Sequence, residues 1–251
     1  MSEIKYTSEA GHWYDRSGNP AYTVIGKNGK ERNTTLRDAR EHDLVPSVTT
    51  ILKVAASPGL ERWKQEQVLM AALTLPRQEG ETESDWMTRI MEDSKETGRK
   101  AADRGTEIHA AIEMHYRGRQ VDPEFLPYVE GFKRAINAHF NDWEWVSEKS
   151  FCNTLGYGGK VDMHTTGIVV DIKTKEFGPD DEIKGYDEHR MQLAAYRMGL
   201  SMPTARCANV FVSRSHPGLV HVLEWDQEEL DQAWQMFAML LRFWQIKNRH
   251  Q

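Results

Sequence analysis

The chain has 251 residues, 39% hydrophobic and 28% charged, with a formal net charge of −6; this excludes a largely disordered chain and fits one sizeable core with additions or two small domains. Two cysteines exclude a disulfide framework and a four-thiolate metal site, and the acidic balance excludes a general nucleic-acid coat protein while leaving room for a local basic stripe. With no charged-then-apolar leader and no apolar run of membrane-spanning length, a soluble cytoplasmic protein without a membrane partner is expected.

Residues 12–35 read as a small antiparallel meander. Its runs, His12–Tyr14, Tyr22–Ile25 and Glu31–Thr35, are split by Ser17-Gly18-Asn19-Pro20 and by Asn28-Gly29, a strong type I′ hairpin signal. Residues 1–45 are set apart as this β appendage, or an edge of the main sheet, and 46–251 as the main domain. Ser47 is placed to cap a helix over Val48–Ala55. Ser57-Pro58 opens another, with Leu60, Trp63, Gln67 and Met70 at helical spacing and Trp63 expected in the core. Residues 76–84 are polar and acidic and read as a loop.

From Asp85 to Tyr116 the pattern is helical, interrupted by Gly98 and Gly105. Each glycine weakens a helix by about 1 kcal/mol relative to alanine, so a break at one or both is expected. Gly105 would also let the helix bearing His109 approach the sheet. Ile108 and Ile112 mark its buried stripe, and Glu113 lies one turn beyond His109, solvated or supporting the site. Pro123–Phe140 forms the next helix, with Phe125, Val129, Phe132 and Ile136 facing the core. Trp143–Cys152 alternates as a strand and brings Glu148 forward, as a further ligand or a polar neighbour of a substrate. Gly156-Tyr157-Gly158-Gly159 allows tight backbone entry but lacks the spacing and following helix of a phosphate-cradling loop.

Val161/Met163 and Ile168/Val170/Ile172 then alternate around Thr165-Thr166-Gly167, the pattern of a half-buried β-hairpin. With Thr166-Gly167 as a two-residue loop, Asp162 sits directly across from Asp171, both on the polar face together with Lys173. Facing carboxylates repel, so a cation has to compensate. A hard divalent ion bound by both is the candidate, with Lys173 sharing the task. The bland alternative is a solvated face with a weak Asp171–Lys173 surface pair.

A loop over Glu176–Asp187, long enough to clamp a substrate, leads to a helix over Glu188–Leu200 that puts Gln192 and Tyr196 on one face and also carries Arg190 and Arg197. Ala205–Ser213 and Leu219–Trp225 make a second hairpin. A last helix, Asp226–Lys247, sets Leu230, Trp234, Phe237, Leu241 and Trp244 on a broad apolar stripe suited to a core or an oligomer contact. These elements add up to an α/β three-layer sandwich with a central mixed sheet.

Asp162 followed by Asp171-Ile172-Lys173 resembles the signature of the PD-(D/E)xK nuclease superfamily. Gly105-Thr106-Glu107-Ile108-His109 upstream and Gln192-Leu193-Ala194-Ala195-Tyr196 downstream resemble the extra motifs of its RecB-like, phage-type exonuclease branch. The likeness spans about Ser47 to Trp225 with the motifs in the family's order, and Val161 stands where the name-giving proline would be. The resemblance implies a restriction-endonuclease-like core and a Mg²⁺ or Mn²⁺ ion held by His109, Asp162, Asp171 and the Ile172 carbonyl. An imidazole ligand suits Mn²⁺ better than Mg²⁺. It further implies Asp162, Asp171 and Lys173 as catalytic residues, and Gln192, Tyr196, Arg190 and Arg197 on the DNA side. Two cysteines are too few for the iron–sulfur cluster that some members carry.

The implied activity is DNA exonuclease cleavage in bacterial or phage recombination, repair or processing, in a bacterial or infected cytoplasm, with a single-strand-binding or annealing protein as a potential partner. A structure-specific endonuclease or an inactive DNA-binding module of the same fold are the alternatives. A glycosidase-type carboxylate pair is another, since opposed strand positions lie about 5 Å apart at Cβ, but it gives Lys173 and His109 no necessary part.

Overall fold

The computed structural model describes residues 11–250, apart from 56–57 and 142–143. Five strands form the central sheet: β5 (Val146–Asn153), β6 (Tyr157–His164), β7 (Ile168–Lys175), β8 (Arg206–Ser213) and β9 (Val220–Trp225), side by side in that order. Neighbours are antiparallel except β7 and β8, which are parallel and joined through α6 (Asp187–Gly199). The sheet is therefore mixed, as expected. A parallel pair needs a crossover element, and the helix predicted after the long loop supplies it.

Two helical layers cover the sheet. One face carries α4 (Glu83–Tyr116) and α5 (Leu126–Phe140), which bury Ile108, Ile112, Phe132 and Ile136 against Val170 and Val210. The other carries α2 (Val48–Leu52), α6 and α7 (Gln227–Asn248), which bury Ile51, Leu193 and Phe237 against Val169 and Cys207. The apolar stripe of α7 is thus core. In β7 the period of two separates the cores: Ile168, Val170 and Ile172 face α4 and α5, while Val169 packs towards α6.

The N-terminal stretch departs from a simple meander. β2 (Thr23–Ile25) and β3 (Glu31–Asn33) form the hairpin that Asn28-Gly29 signals, with Gly29 at φ 72°. β1 (Trp13–Tyr14) pairs instead with β4 (Val45–Pro46). Between them Thr35 and Asp38 form a capping box that starts α1 (Leu36–Glu41), a helix for which the Thr-x-x-Asp spacing is the local signal. Trp13 is buried edge-on to Trp244, ring centroids 5.9 Å apart, which ties this stretch into the core beside α7.

Neither glycine breaks α4, which runs unbroken for 34 residues. Each marks an approach by another element. A Cβ on Gly98 would lie 3.3 Å from the Trp63 ring of α3 (Pro58–Thr74), and one on Gly105 only 2.4 Å from Thr174 Oγ1 on β7. Packing at these points outweighs the weak intrinsic preference against glycine. Trp63 lies over Gly98 at the surface, 38% exposed, and not in the core. Ser57 and Trp143, expected at the starts of α3 and β5, lie outside the described residues.

Gly105→Ala gains helix propensity but meets Thr174, so a net loss of ~1–2 kcal/mol is expected from overpacking. Thr174→Ala in the same chain should recover most of it. Denaturant melts of the two single variants and the double variant check this; additive effects would show that the approach is not tight.

Candidate active site

The site lies where β6 parts from β7. Their pairing follows the predicted register, Met163 opposite Val170 and His164 opposite Val169, closed by Thr165 N–H donating to the Ile168 carbonyl at 2.9 Å. It then stops. One step further on, where Asp162 would face Asp171, the Ile172 N–H donates at 2.7 Å to the Asp162 carboxylate instead of to a backbone carbonyl. The pairing of β5 with β6 also skips this level, running from Ser147–Met163 to Lys149–Val161 around Glu148, whose φ is 57°. Below the fork the backbone of β6 bridges to Ser47 at Gly158.

The predicted common face for Val161 and Met163 is therefore corrected: Val161 packs in the α6–α7 core and Met163 in the α4–α5 core. The strand turns over at Asp162, because neither neighbour holds it in a regular ladder there. The side chain is thereby aimed into the fork.

His109 reaches the fork from α4, its Nε2 3.2 Å from Asp162 Oδ2. Gly105, one turn earlier, sets how closely that helix lies on β7. Burial opposes charge on the imidazole, but the adjoining Asp162 carboxylate, helped by Asp171 and Glu148, raises its pKa to about 9. Burial likewise opposes charge on Asp162, yet His109, Lys173 and the Ile172 N–H hold its pKa below the ordinary value.

Asp171 is also not on an exposed polar face, as expected from alternation; it is 1% exposed. Alternation gave the correct side of β7, but α6 lies across that side. Lys173 Nζ donates to Asp171 Oδ1 at 3.1 Å and to Gln192 Oε1 at 2.9 Å, and it lies 2.9 Å from Asp171 Oδ2 as an ion pair. Gln192 Nε2 in turn donates to the Tyr196 hydroxyl at 2.8 Å. Asn209, directly across on β8, donates to Asp171 Oδ2 at 2.8 Å, and its own carbonyl oxygen accepts from Trp225 Nε1 at 2.7 Å. Burial pushes the Asp171 pKa up; Lys173 works against this and Asp162 adds to it. Burial and the two aspartates keep Tyr196 neutral by raising its pKa well above normal.

Sequence reasoning missed Asn209 and Trp225. The available signal was an amide alone in the apolar run Cys207–Val212, where a buried polar group needs a partner. The expectation of a solvated Glu113 is also corrected. A ligand atom of Glu113, one of Glu148 and one of His109 lie within 4.8 Å of one another. Burial and the neighbouring Glu148 raise the Glu113 pKa. Arg117 lies 2.7 Å from Glu113 and 3.3 Å from Glu148, and Lys160 makes a short contact with Glu148.

Of the two arginines, Arg190 stands near the start of α6, held by Asp187 at 2.6 Å. Arg197 is 1% exposed and paired with Asp231 of α7 at 2.5 Å. It points into the α6–α7 contact and has no route to a phosphate, which corrects its assignment to the DNA side.

The donor set suits a hard divalent cation. His109, Asp162 and Asp171 offer an imidazole and two carboxylates at one fork, and Glu113 and Glu148 add two more beside His109. A bound metal would relieve the pressure that raises the Asp171 and Glu113 pKa values.

No family model and no curated protein matches the chain. Among solved structures it is similar to a "Putative exonuclease" from Eubacterium rectale, at 12% identity over 59% of this chain and 69% of that one, with a TM-score of 0.42. It is also similar to the protein SSO0001, at 20% identity over 44% of this chain and 55% of that one, with a TM-score of 0.26. Likeness this partial leaves the chemistry to the site's own side chains. No helix among the described residues is long and apolar enough to cross a membrane.

In the metal-free protein the His109–Asp162 contact carries a pH signature. Because folding raises the imidazole pKa from 6.5 to about 9, its stabilisation is complete below pH 6.5 and disappears as the pH rises through about 9. Its size is at most about 3 kcal/mol. His109→Gln is therefore expected to melt below the parent at pH 6.5 and level with it above pH 9, read by thermal denaturation in a chelator. A gap independent of pH would show that the contact is not charged.

Proposed function

We propose that this chain is a Mg²⁺- or Mn²⁺-dependent nuclease with a restriction-endonuclease-like core, hydrolysing DNA phosphodiester bonds from an end. The observation that carries this reading is the fork itself: His109 meets Asp162, the buried Asp171 lies across from it on β7, and Lys173 is held between Asp171 and Gln192. A glycosidase pair needs two carboxyls flanking a sugar and leaves these cations without a task. An inactive binding module has no need of two neighbouring acids, one of them buried, whose repulsion weakens its fold.

His109, Asp162, Asp171 and the main chain at Ile172 would hold the cation. When bound, it supplies Lewis acidity towards the phosphate and towards water. Lys173 has three N–H donors, and Asp171 and Gln192 take two. The third is available to orient water or to offset charge building on the phosphate in the transition state. Asn209, fixed by Trp225, keeps Asp171 turned so that Lys173 and Asn209 both reach it. Gln192 and Tyr196 act mainly by positioning Lys173, and Arg190 stands near the start of the same helix as a phosphate contact. The modest negative net charge fits an enzyme that admits a strand to a local channel.

Asp171→Asn should abolish cleavage and leave the metal-free protein at least as stable at neutral pH, since folding disfavours the ionised carboxylate. Activity assays and melts decide this, and collapse of the fold would make Asp171 a structural ion-pair partner. Lys173→Ala is expected to lower turnover by 10²-fold or more while calorimetry still detects Mn²⁺ binding. Parental rates in that variant would remove Lys173 from the chemistry.

The end requirement is tested with linear and covalently closed circular DNA, single- and double-stranded, with Mg²⁺ or Mn²⁺. Mononucleotides or short oligomers should come from linear substrates alone. Rapid internal cutting of circles would make the enzyme a structure-specific endonuclease, and resistance to EDTA would remove the metal.

A further inference from the structure

Helix α7 carries more apolar surface than the fold uses. Its inner stripe, which includes Leu230, Phe237, Leu241 and Trp244, is core. On the opposite face Met239, Phe243 and Ile246 follow one another at steps of four and three, and each has more than half of its surface open. Leu155, equally open, widens this patch from the turn between β5 and β6, where its carbonyl accepts from Gln245 Nε2 at 2.8 Å. Steps of three and four make the seam along which one helix packs on another. No described element of this chain lies over that seam.

The charges along the same face are sorted by end. Glu228 stands three turns before Met239 in line with it, followed by Gln232 and Gln235. Arg242, Lys247 and Arg249 border the other end, and all six of these polar side chains are exposed. Among the described residues neither Glu228 nor any of the three cations belongs to an ion pair; Glu228 accepts from Gln232 Nε2 at 3.3 Å, and Lys247 Nζ lies 5.9 Å from the centre of the Phe243 ring. The dipole of α7 favours that order of charge by itself, but it gives no reason for open apolar residues between the two ends. Met239 lies midway between Glu228 and Arg249 in the chain. A two-fold axis at Met239 therefore lays the acidic end of one α7 on the basic end of another and matches seam to seam. A second copy of this chain fits that pattern, whereas nucleic acid or an anionic membrane would meet Glu228 as a like charge.

We propose that the outer face of α7 is the contact surface of a homodimer, in which two copies pair this helix antiparallel about a two-fold axis at Met239. Met239 packs on its own counterpart. Phe243 and Ile246 lie over the stems of Gln235 and Gln232 of the second copy, and Glu228 stands beside Arg249 at each end. A helix of 22 residues is about 33 Å long and about 10 Å across, which offers less than the ~800 Å² per partner of a standard interface. The dimer is therefore one that dissociates in the micromolar range. No residue of the acid fork lies on this face, so the interface does not rest on the nuclease reading.

Sedimentation of the full chain across the micromolar range reads the association directly, and the parent should pass from monomer to dimer as its concentration rises. Phe243→Glu puts a charge into the seam and should raise the dissociation constant about tenfold or more, with the far-UV circular dichroism of the parent. Glu228→Arg and Arg249→Glu each bring like charges together at both ends and should each weaken association about fivefold. An equal mixture of these two variants should associate like the parent, because in the mixed pair both ends again join opposite charges.

A chain that stays monomeric up to millimolar concentration overturns the proposal and leaves this face to a different protein. A dimer indifferent to Phe243→Glu has its contact elsewhere and overturns it too. Losses in both charge variants that mixing does not repair would remove the two-fold antiparallel pairing. If Phe243→Glu does not fold, the two charge variants, both at exposed positions, carry the test alone. The two proposals fail separately: a dimer that cuts no DNA keeps the interface, and a monomer that cuts DNA keeps the nuclease.

Discussion

Two neighbouring carboxylates largely removed from water, Asp171 buried and Asp162 with 15% of its side chain exposed, are the constraint on which the rest of this structure depends. Left alone, Asp162 and Asp171 would be driven to protonate, as the raised Asp171 pKa shows. The fold answers with four compensating groups: His109 from the α4 layer, the Ile172 N–H and Lys173 from β7, and Asn209 from β8. A bond between a main-chain N–H and a carboxylate is charge-assisted and stronger than the ladder bond it replaces. That exchange makes it tolerable for β6 to leave β7.

The opening of the sheet creates the site. A regular hairpin would have continued the ladder and packed Val161 and Met163 into one layer. Instead β6 turns over at Asp162, and its lower half meets Ser47. Glu148 at φ 57° belongs to the same distortion, since a non-glycine residue in the left-handed region persists only where surrounding contacts enforce it. Its pairing with Lys160 and Arg117 is such a set of contacts.

Around this fork the two helical layers act differently. α4 is set by steric contact, through Gly105 against Thr174, which fixes how far His109 reaches. α6 is set by polar contact, through Gln192 to Lys173 and to Tyr196, with Arg197 locking its far side onto α7. Every charged group at the centre therefore has its orientation determined by an element distant in sequence, and the acids come together only when the sheet and both layers are in place.

The amino-acid sequence by itself determined most element types of the main sheet and its helices, the hairpin register, and which residues meet at the fork. These are local quantities: the alternation of Ile168, Val170 and Ile172, the turn at Thr166-Gly167, and the spacing of Gly105 to His109 and of Gln192 to Tyr196. Tertiary structure decided burial, facing and breaks. Asp171 reads as exposed until α6 is laid over it, and Arg197 reads as free until α7 packs on its other side. Gly98 and Gly105 read as breaks until Trp63 and Thr174 occupy the space their missing side chains leave. Asn209 carries no periodic signal and gained its role only from its neighbour on β7. Each outcome depends on a partner more than ten residues away, and propensity and periodicity contain no information about such partners.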